Sequence, residues 1–431
     1  MKVLFIHNLF PPEYVGGAEI SAFYSAYGLR QRGYDSSVLA VYARASQEER
    51  QEYVFKGVPV RKLTFDHRAS TEWERIYDPL VYHAVYREVE DIRPDLVHIH
   101  NVSGASLAPF LVCRRLSIPV VLTLHDYWML CPNNMLLKGD RSLCDPAASS
   151  FWCRECYRRY DFWGNIPFRR QIIRWFVRDV RRFISPSQYL VDLHARAGYD
   201  AARFRVLKSG VDLSLFQAPT SLTVRQAIGE NAMYNTALFA GHIVQIKGLE
   251  VLADALPLMN RYIPNFRLLV AGRGEQGFVE RLAQLAPSAV RYLGKLPFYE
   301  LRSVYAASKL TLVPSIWPDN SPIVIYESLL MGTPALASRI GGIPELIQEG
   351  ETGYLFTLGD ATEFAVKAID HFAKPAMQRR DMRRRCAEYA EANLTLEHHL
   401  DRLIRIYEEA LNDVILPQDS PRLEAGGEDI R

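Results

Sequence analysis

Short apolar runs alternate along this chain with longer stretches whose apolar positions recur every three or four residues. Runs of four to six apolar residues between polar or glycine-bearing segments mark strands buried on both faces, and the helical recurrence marks helices laid against those faces. In the first half the pattern predicts strands at Val3–His7, Ser37–Val41, Leu96–His100, Val120–Leu124 and Phe183–Ser185, with helices such as Ala18–Arg32 and Pro79–Asp91 between them. It then restarts. Strands are predicted at Ala237–Ala240, Arg267–Ala271, Val290–Leu293, Leu310–Pro314 and Pro334–Ala337. Helices at Leu249–Ile263, Phe278–Leu285, Leu301–Ala307 and Ile323–Met331 separate them. The predicted class is α/β, with two Rossmann-like, doubly wound parallel sheets, because single cores stop growing at about 250–300 residues.

Asp212, Ser214, Pro219 and Ser221 break the periodicity within Val211–Ser221, which divides the chain into a first domain, 1–210, and a second, 211–395. An amphipathic helix around Leu396–Leu411 occupies 396–415, and the polar, glycine-containing residues 416–431 are expected to be a disordered tail. No low-complexity tract or short repeat is seen.

Composition changes this picture little. The 431 residues are 48% hydrophobic and 23% charged, with a formal net charge of +2, so no nucleic-acid partner is indicated. The opening run Met1–His7 is too short for a signal peptide, and no stretch of about 18 apolar residues occurs. Six cysteines in a chain of this length do not resemble a secreted disulfide scaffold. The expectation is a soluble, cytoplasmic protein, at most resting on the cytoplasmic face of a membrane.

Two segments carry candidate chemistry. Pro11-Pro12-Glu13-Tyr14-Val15-Gly16-Gly17-Ala18-Glu19 follows the first strand and opens the first helix. Gly16 and Gly17 let backbone N–H groups approach an anion at a positive helix end, although a plain tight turn would look the same. It is not the Gly-x-Gly-x-x-Gly fingerprint of nicotinamide sites. Asp319-Asn320-Ser321-Pro322-Ile323-Val324-Ile325-Tyr326-Glu327 opens another helix after a strand, with Ser321 or Asn320 as the expected cap. Its first-turn amides suit phosphate oxygens, and a carboxylate two turns in suits ribose hydroxyls. A capping Asp and a surface Glu would be the plain alternative.

The second segment resembles the acidic-x-seven-Glu signature of the retaining family-four glycosyltransferases. Ser328-Leu329-Leu330-Met331-Gly332-Thr333-Pro334, Gly341-Gly342-Ile343-Pro344-Glu345-Leu346 and Gly350-Glu351-Thr352-Gly353 resemble its continuation. Further matches run in family order: Gly16-Gly17-Ala18-Glu19, His98-x-His100, Leu124-His125-Asp126, Ser185-Pro186-Ser187, Gly210-Val211-Asp212, Gly241 through Lys247-Gly248, and Ala271-Gly272-x-Gly274-Glu275. The resemblance covers roughly residues 1–410.

It implies the GT-B architecture: an acceptor-side and a nucleotide-side domain facing a cleft, with the last helix returning to the first domain. It also implies transfer of a sugar from a nucleotide-sugar donor to a hydroxyl of a glycan or lipid-linked acceptor, in cell-surface polysaccharide or glycolipid assembly, with retained configuration and no catalytic cofactor. Carried over, Asp319 bonds donor-sugar hydroxyls, Glu327 the ribose, and Lys247 the diphosphate. Amides near Ser321, Pro322, Ile323 and Val324, together with Asn320, Gly16 and Gly17, complete the donor site. His125 stands beside the sugar, and Gly294–Leu296 near the base. Where the family commonly has a phosphate-pairing Arg, this chain has Gly241-His242, with Arg273 a candidate substitute; Asp319 also stands where Glu is frequent. The alternatives are a non-catalytic nucleotide-sugar-binding protein, or another GT-B enzyme such as a sugar-nucleotide epimerase.

Three features fall outside that pattern. His98 and His100 lie on one strand face, and a structural or acceptor-side role is expected in preference to a metal pair. Cys131, Cys144, Cys153 and Cys156 cluster in an insert, 127–160, and either close a structural zinc site or are unrelated reduced thiols. Phe168 to Phe183 alternates Ile172, Phe176 and Val180 with Arg170, Arg174, Arg178 and Arg181. It reads as a basic amphipathic helix whose apolar stripe is expected to pack on the sheet, with peripheral contact to an anionic membrane as a second role for the arginines.

Overall fold

The computed structural model describes residues 1–13, 16–42, 49–65, 76–102, 105–145, 166–212, 226 and 234–413. The expected break at 213–221 and the tail 416–431 lie outside these residues.

The first sheet contains β1 (Lys2–His7), β2 (Asp35–Tyr42), β3 (Glu49–Phe55), β4 (Val58–Thr64), β5 (Leu96–Ile99), β6 (Val120–Thr123), β7 (Val180–Ser185) and β8 (Phe204–Val206). Their spatial order is β3-β4-β2-β1-β5-β6-β7-β8, parallel except for the antiparallel β3/β4 pair. Strands such as β1 and β5 are apolar on both faces because helices cover both sides. β3 is the exception, since its Glu49, Arg50 and Glu52 keep an exposed edge soluble. Packed with this sheet are α1 (Gly17–Gln31), α2 (Pro79–Ile92), α3 (Ala108–Arg115), α4 (Ile166–Phe176) and α5 (Gln188–Arg196). α2 starts where it does because Asp78 accepts from Leu80 N and Val81 N, at 2.8 and 3.1 Å, ahead of Pro79 in the first turn.

The second sheet contains β9 (Asn235–Ala240), β10 (Phe266–Ala271), β11 (Val290–Gly294), β12 (Leu310–Val313), β13 (Ala335–Ser338) and β14 (Gly353–Phe356). All pairings are parallel, in the order β11-β10-β9-β12-β13-β14. Its helices are α6 (Leu249–Tyr262), α7 (Gln276–Leu285), α8 (Phe298–Ala307), α9 (Ile323–Leu330), α10 (Ala361–Ala373) and α11 (Ala376–Asn393). The expected pair of doubly wound sheets is therefore present. Strand order reverses between β1 and β5 in one sheet and between β9 and β12 in the other, and such reversals open crevices at the carboxyl ends of the strands. No described helix is long and apolar enough to cross a membrane.

The continuous helix read from Phe168 to Phe183 is corrected. α4 stops at Phe176, and β7 begins at Val180, because Val180, Phe183 and Ile184 are claimed by pairing with β6 and β8. Sheet pairing overrides a helical period that happens to continue for another turn. The arginines there serve the fold: Arg174 lies over the Tyr199 ring at 5.2 Å and donates to Ala197 O, while Arg181 donates to Asp413 O.

The last helix, α12 (Leu396–Asn412), follows the second sheet in the chain but packs on α1, β6 and β7 of the first. Leu400, Leu403 and Tyr407 are buried there, and Gly28 of α1 leaves space that Leu400 fills. Arg205 and Arg182 hold Glu409 at 2.7 and 3.0 Å, and Arg32 holds Asp401 at 2.6 Å. These exposed pairs contribute little beside the apolar stripe. Leu403→Ala should therefore destabilise the protein by about 2–5 kcal/mol, seen as a lower thermal midpoint.

Candidate active site

The carboxyl ends of β9 and β12 deliver two oppositely charged side chains to the same place. After β9 the chain makes a single helical turn, Gln245–Lys247, closed by Gly248 at φ 79°. A side chain at Gly248 would collide with the Pro314 carbonyl, so glycine is needed to bring the lysine this close to the loop after β12. Lys247 Nζ lies 2.5 Å from Asp319 Oδ2 and 5.3 Å from the centre of the Trp317 ring. With only a tenth of its side chain exposed, Asp319 keeps this ion pair largely out of water.

α9 begins immediately afterwards. Neither Asn320 nor Ser321 caps it, contrary to the sequence expectation: Pro322 is the N-cap, with no side-chain hydrogen bond to the first turn. Asn320 instead donates through Nδ2 to the His125 carbonyl, at 3.0 Å, while its Oδ1 is buried without a partner. Ser321 Oγ bonds the Tyr326 hydroxyl. The amides of Ile323 and Val324 thus stand at a helix N-terminus free of any capping side chain, the arrangement that receives anions. Further along α9, the buried Glu327 accepts from the Tyr305 hydroxyl at 2.8 Å. Burial raises its carboxyl pKa to about 7, against the favourable Tyr305 bond.

The N-terminus of α1 meets that of α9 from the other sheet. A Cβ on Gly17 would lie 2.8 Å from Ile323 Cδ1, so glycine permits the approach, whereas a Cβ on Gly16 would meet nothing. Gly16 N donates to Glu19 Oε2 at 2.9 Å. Next to this junction the Tyr127 hydroxyl donates to the Pro318 carbonyl. Glu345 spans the same gap, accepting from Gln188 N and Tyr189 N, each at 2.8 Å, so its carboxylate fills the N-terminus of α5.

His242 follows β9 and is half-buried; burial lowers its pKa first, and the nearby Arg273, Lys247 and Lys295 lower it further. It is therefore a neutral hydrogen-bond donor inside a group of cations rather than a substitute positive charge. Arg273 is held beside it by the Ile243 N to Arg273 O bond of 2.9 Å. Gly294, at the end of β11, accepts from Gly272 N at 2.8 Å, which sets Gly294–Leu296 against the loop after β10.

The half-buried His125 lies on the first-domain side, with burial taking its pKa down to about 4. Its Nε2 is 2.9 Å from His100 Nδ1. His98 is structural: it bonds Tyr407 at 2.6 Å and Thr123 at 2.7 Å. Cys131 and Cys144 are half-buried at the edge of the first sheet's core, and Cys153 and Cys156 lie outside the described residues. Among the described residues no group of three or more His, Cys, Asp or Glu is placed to hold a metal. Sequence reasoning missed Tyr305, Tyr127 and Trp317, and included Lys295 only as part of Gly294–Leu296 near the base, without a role of its own. None had a signal of its own, because an aromatic at helical spacing reads as core and a single lysine as surface.

Both halves of the chain are similar to known proteins. The Glycosyltransferase Family 4 profile matches residues 15–215, and the Glycosyl transferases group 1 profile matches residues 234–373. An uncharacterized 42.6 kDa protein in the cps region of Klebsiella pneumoniae is 22% identical over 80% of this chain and 87% of that protein. The D-inositol 3-phosphate glycosyltransferase of Mycobacterium tuberculosis is 28% identical over 57% of this chain; the match spans half of that relative's length (50%). Anabaena HepE, solved in complex with UDP, superposes with a TM-score of 0.68 at 21% identity, covering 95% of this chain and 100% of that one.

Glu327 yields a pH prediction. Its carboxyl titrates near 4.5 when unfolded and about 7 when folded, so the folded state holds the proton more tightly. The stability this provides is complete below about pH 4.5 and is lost as pH rises through 7. Thermal midpoints measured from pH 5 to 8 should fall less steeply in Glu327→Gln than in the parent protein, and the variant should be the more stable at pH 8.

Proposed function

Because the chain belongs to the family-four, group 1 glycosyltransferases, we propose that it transfers a hexosyl group from a nucleoside-diphosphate sugar to an acceptor hydroxyl in the cleft between its sheets. The observation that carries this reading is the convergence on one cleft of Lys247, the uncapped first turn of α9 and the start of α1. A diphosphate leaving group needs that set: fixed donors and a cation where negative charge grows in the transition state. UDP is the first nucleotide to try, since HepE was solved with it.

In this reading Lys247 turns from Asp319 to the diphosphate, freeing the Asp319 carboxylate to accept from sugar hydroxyls. Glu327, in its ionised form, accepts from the ribose. The amides of Ile323, Val324 and Gly17 and the N–H of His242 hold phosphate oxygens, with Arg273 and Lys295 supplying further positive potential. His125 stands at the sugar. The bond between the anomeric carbon and the phosphate oxygen breaks, and its electron pair leaves with the nucleoside diphosphate. The acceptor oxygen bonds that carbon on the same face, and its proton passes to the departing phosphate. Retention follows without a protein nucleophile, in keeping with family membership. A glycan or lipid-linked acceptor, and a place in cell-surface polysaccharide or glycolipid assembly, draw support from the relative in a cps region. Contact with an anionic membrane has less support, because Arg174 and Arg181 are engaged within the fold.

A panel of nucleotide sugars, assayed for thermal shift and for slow hydrolysis without acceptor, tests the proposal. One donor should both stabilise the protein and be hydrolysed. Lys247→Ala should abolish the shift and cut turnover by about 10²–10³-fold, and His125→Ala should lower turnover while leaving UDP binding intact. Absence of any stabilising sugar nucleotide would sink the proposal, and binding without turnover would favour a non-catalytic sensor.

A further inference from the structure

His125 is held by another imidazole. His100 Nδ1 lies 2.9 Å from His125 Nε2, and the two rings stack with centroids 5.1 Å apart and planes 25° apart. The neighbouring His98 is fully committed to Tyr407 and Thr123, but His100 is not. Only 3% of its surface is exposed, and its Nε2 is buried without a hydrogen-bond partner. It lines a small cavity with Ser21, Ser25, Ser209 and His399, with room for about one water molecule.

The shared proton can sit on either ring, and the two arrangements differ in cost. Were His125 Nε2–H the donor, neutral His100 would carry its own proton on Nε2, as a buried N–H with no protein acceptor. Were His100 Nδ1–H the donor, its Nε2 would be a bare lone pair with no protein donor; one cavity water can serve either form, so the difference lies in the protein's own groups. Orphaned buried N–H groups are rarer than under-satisfied acceptors, which favours the second arrangement. The groups that act electrostatically on His100, namely His98, His125, His7 and His399, are all imidazoles, and burial among them keeps His100 neutral. A charged, two-donor form is thereby excluded near neutral pH.

The geometry points to His100 as a positioning residue: it donates to His125 Nε2, locks that ring with its proton on Nδ1, and so leaves the Nδ1–H as the donor available to an oxygen of the sugar. The functional half of this inference rests on the reading that His125 meets the sugar; the tautomer itself does not. Burial and stacking alone would fix a ring plane but would not choose a tautomer.

Long-range proton–nitrogen spectra of histidine-labelled protein, with the His125 signals assigned by their loss in His125→Asn, measure that choice directly. The parent protein should show His125 protonated on Nδ1. His100→Asn, whose side-chain amide can donate from the place of Nδ1, should keep that tautomer; His100→Leu, which cannot donate, should lose it to the Nε2–H form. An Nε2-protonated His125 in the parent protein, or an unchanged Nδ1 tautomer in His100→Leu, overturns the assignment. If His100→Leu does not fold, the parent and His100→Asn spectra still decide. Failure of the sugar-facing reading is separate: it would appear as unchanged turnover in His125→Ala, whatever the tautomer.

Discussion

The site depends on two helix N-termini, from different sheets, meeting with almost no side chain between them. Gly17 at the start of α1 comes against Ile323 at the start of α9, and even a methyl group on the glycine would press on the isoleucine. Around that junction the sheets are joined by bonds that also use little bulk: Tyr127 to the Pro318 carbonyl, Asn320 to the His125 carbonyl, and Glu345 to two amides of α5. Gly342 belongs to the same seam, since a Cβ there would lie 2.6 Å from that of Ser187. Because partial positive charge at a helix end falls off within one turn, only such close packing lets two ends act on one anion.

The charges around the junction follow from that geometry. Lys247 and Asp319 neutralise one another at 2.5 Å in a mostly buried position, where an unpaired charge would be costly. Glu327 has no cation among the groups that shift its pKa, so burial holds much of it protonated near neutrality, with Tyr305 as its one donor among the described residues. The pair is thus poised to exchange partners when a ligand brings both negative charge and hydroxyl groups. His242, surrounded by cations, cannot add a full charge of its own, which leaves Lys247, Arg273 and Lys295 to supply the positive field.

Much of the frame was legible in the sequence, because a strand covered on both faces must be apolar throughout and a covering helix must repeat every 3.6 residues. That rule found β1, β5, β6, β9, β10 and β12 within a residue or two. It did not find β3, whose exposed, charged residues look like a loop, nor β8, which is three residues long. It also extended α4 through Val180, since local periodicity carries no information about which strand stands ready to pair. At the site, Lys247, Asp319 and Glu327 were legible as a spaced pattern, whereas the cap expected of Asn320 or Ser321 was not what those side chains do.

The sequence by itself determined the two sheets, the glycines that open their helices and the charged residues at the strand ends. These are local properties, set by which side chains can be buried and which backbone conformations they allow. Only the tertiary structure decided which of those groups meet. Asn320 reaches across to a carbonyl of the first domain, and Tyr305 finds Glu327 from another helix. His100 and His125, apart in sequence, share a proton. Such contacts join residues tens to hundreds of positions apart, and their energies depend on distance and burial, which no local pattern encodes.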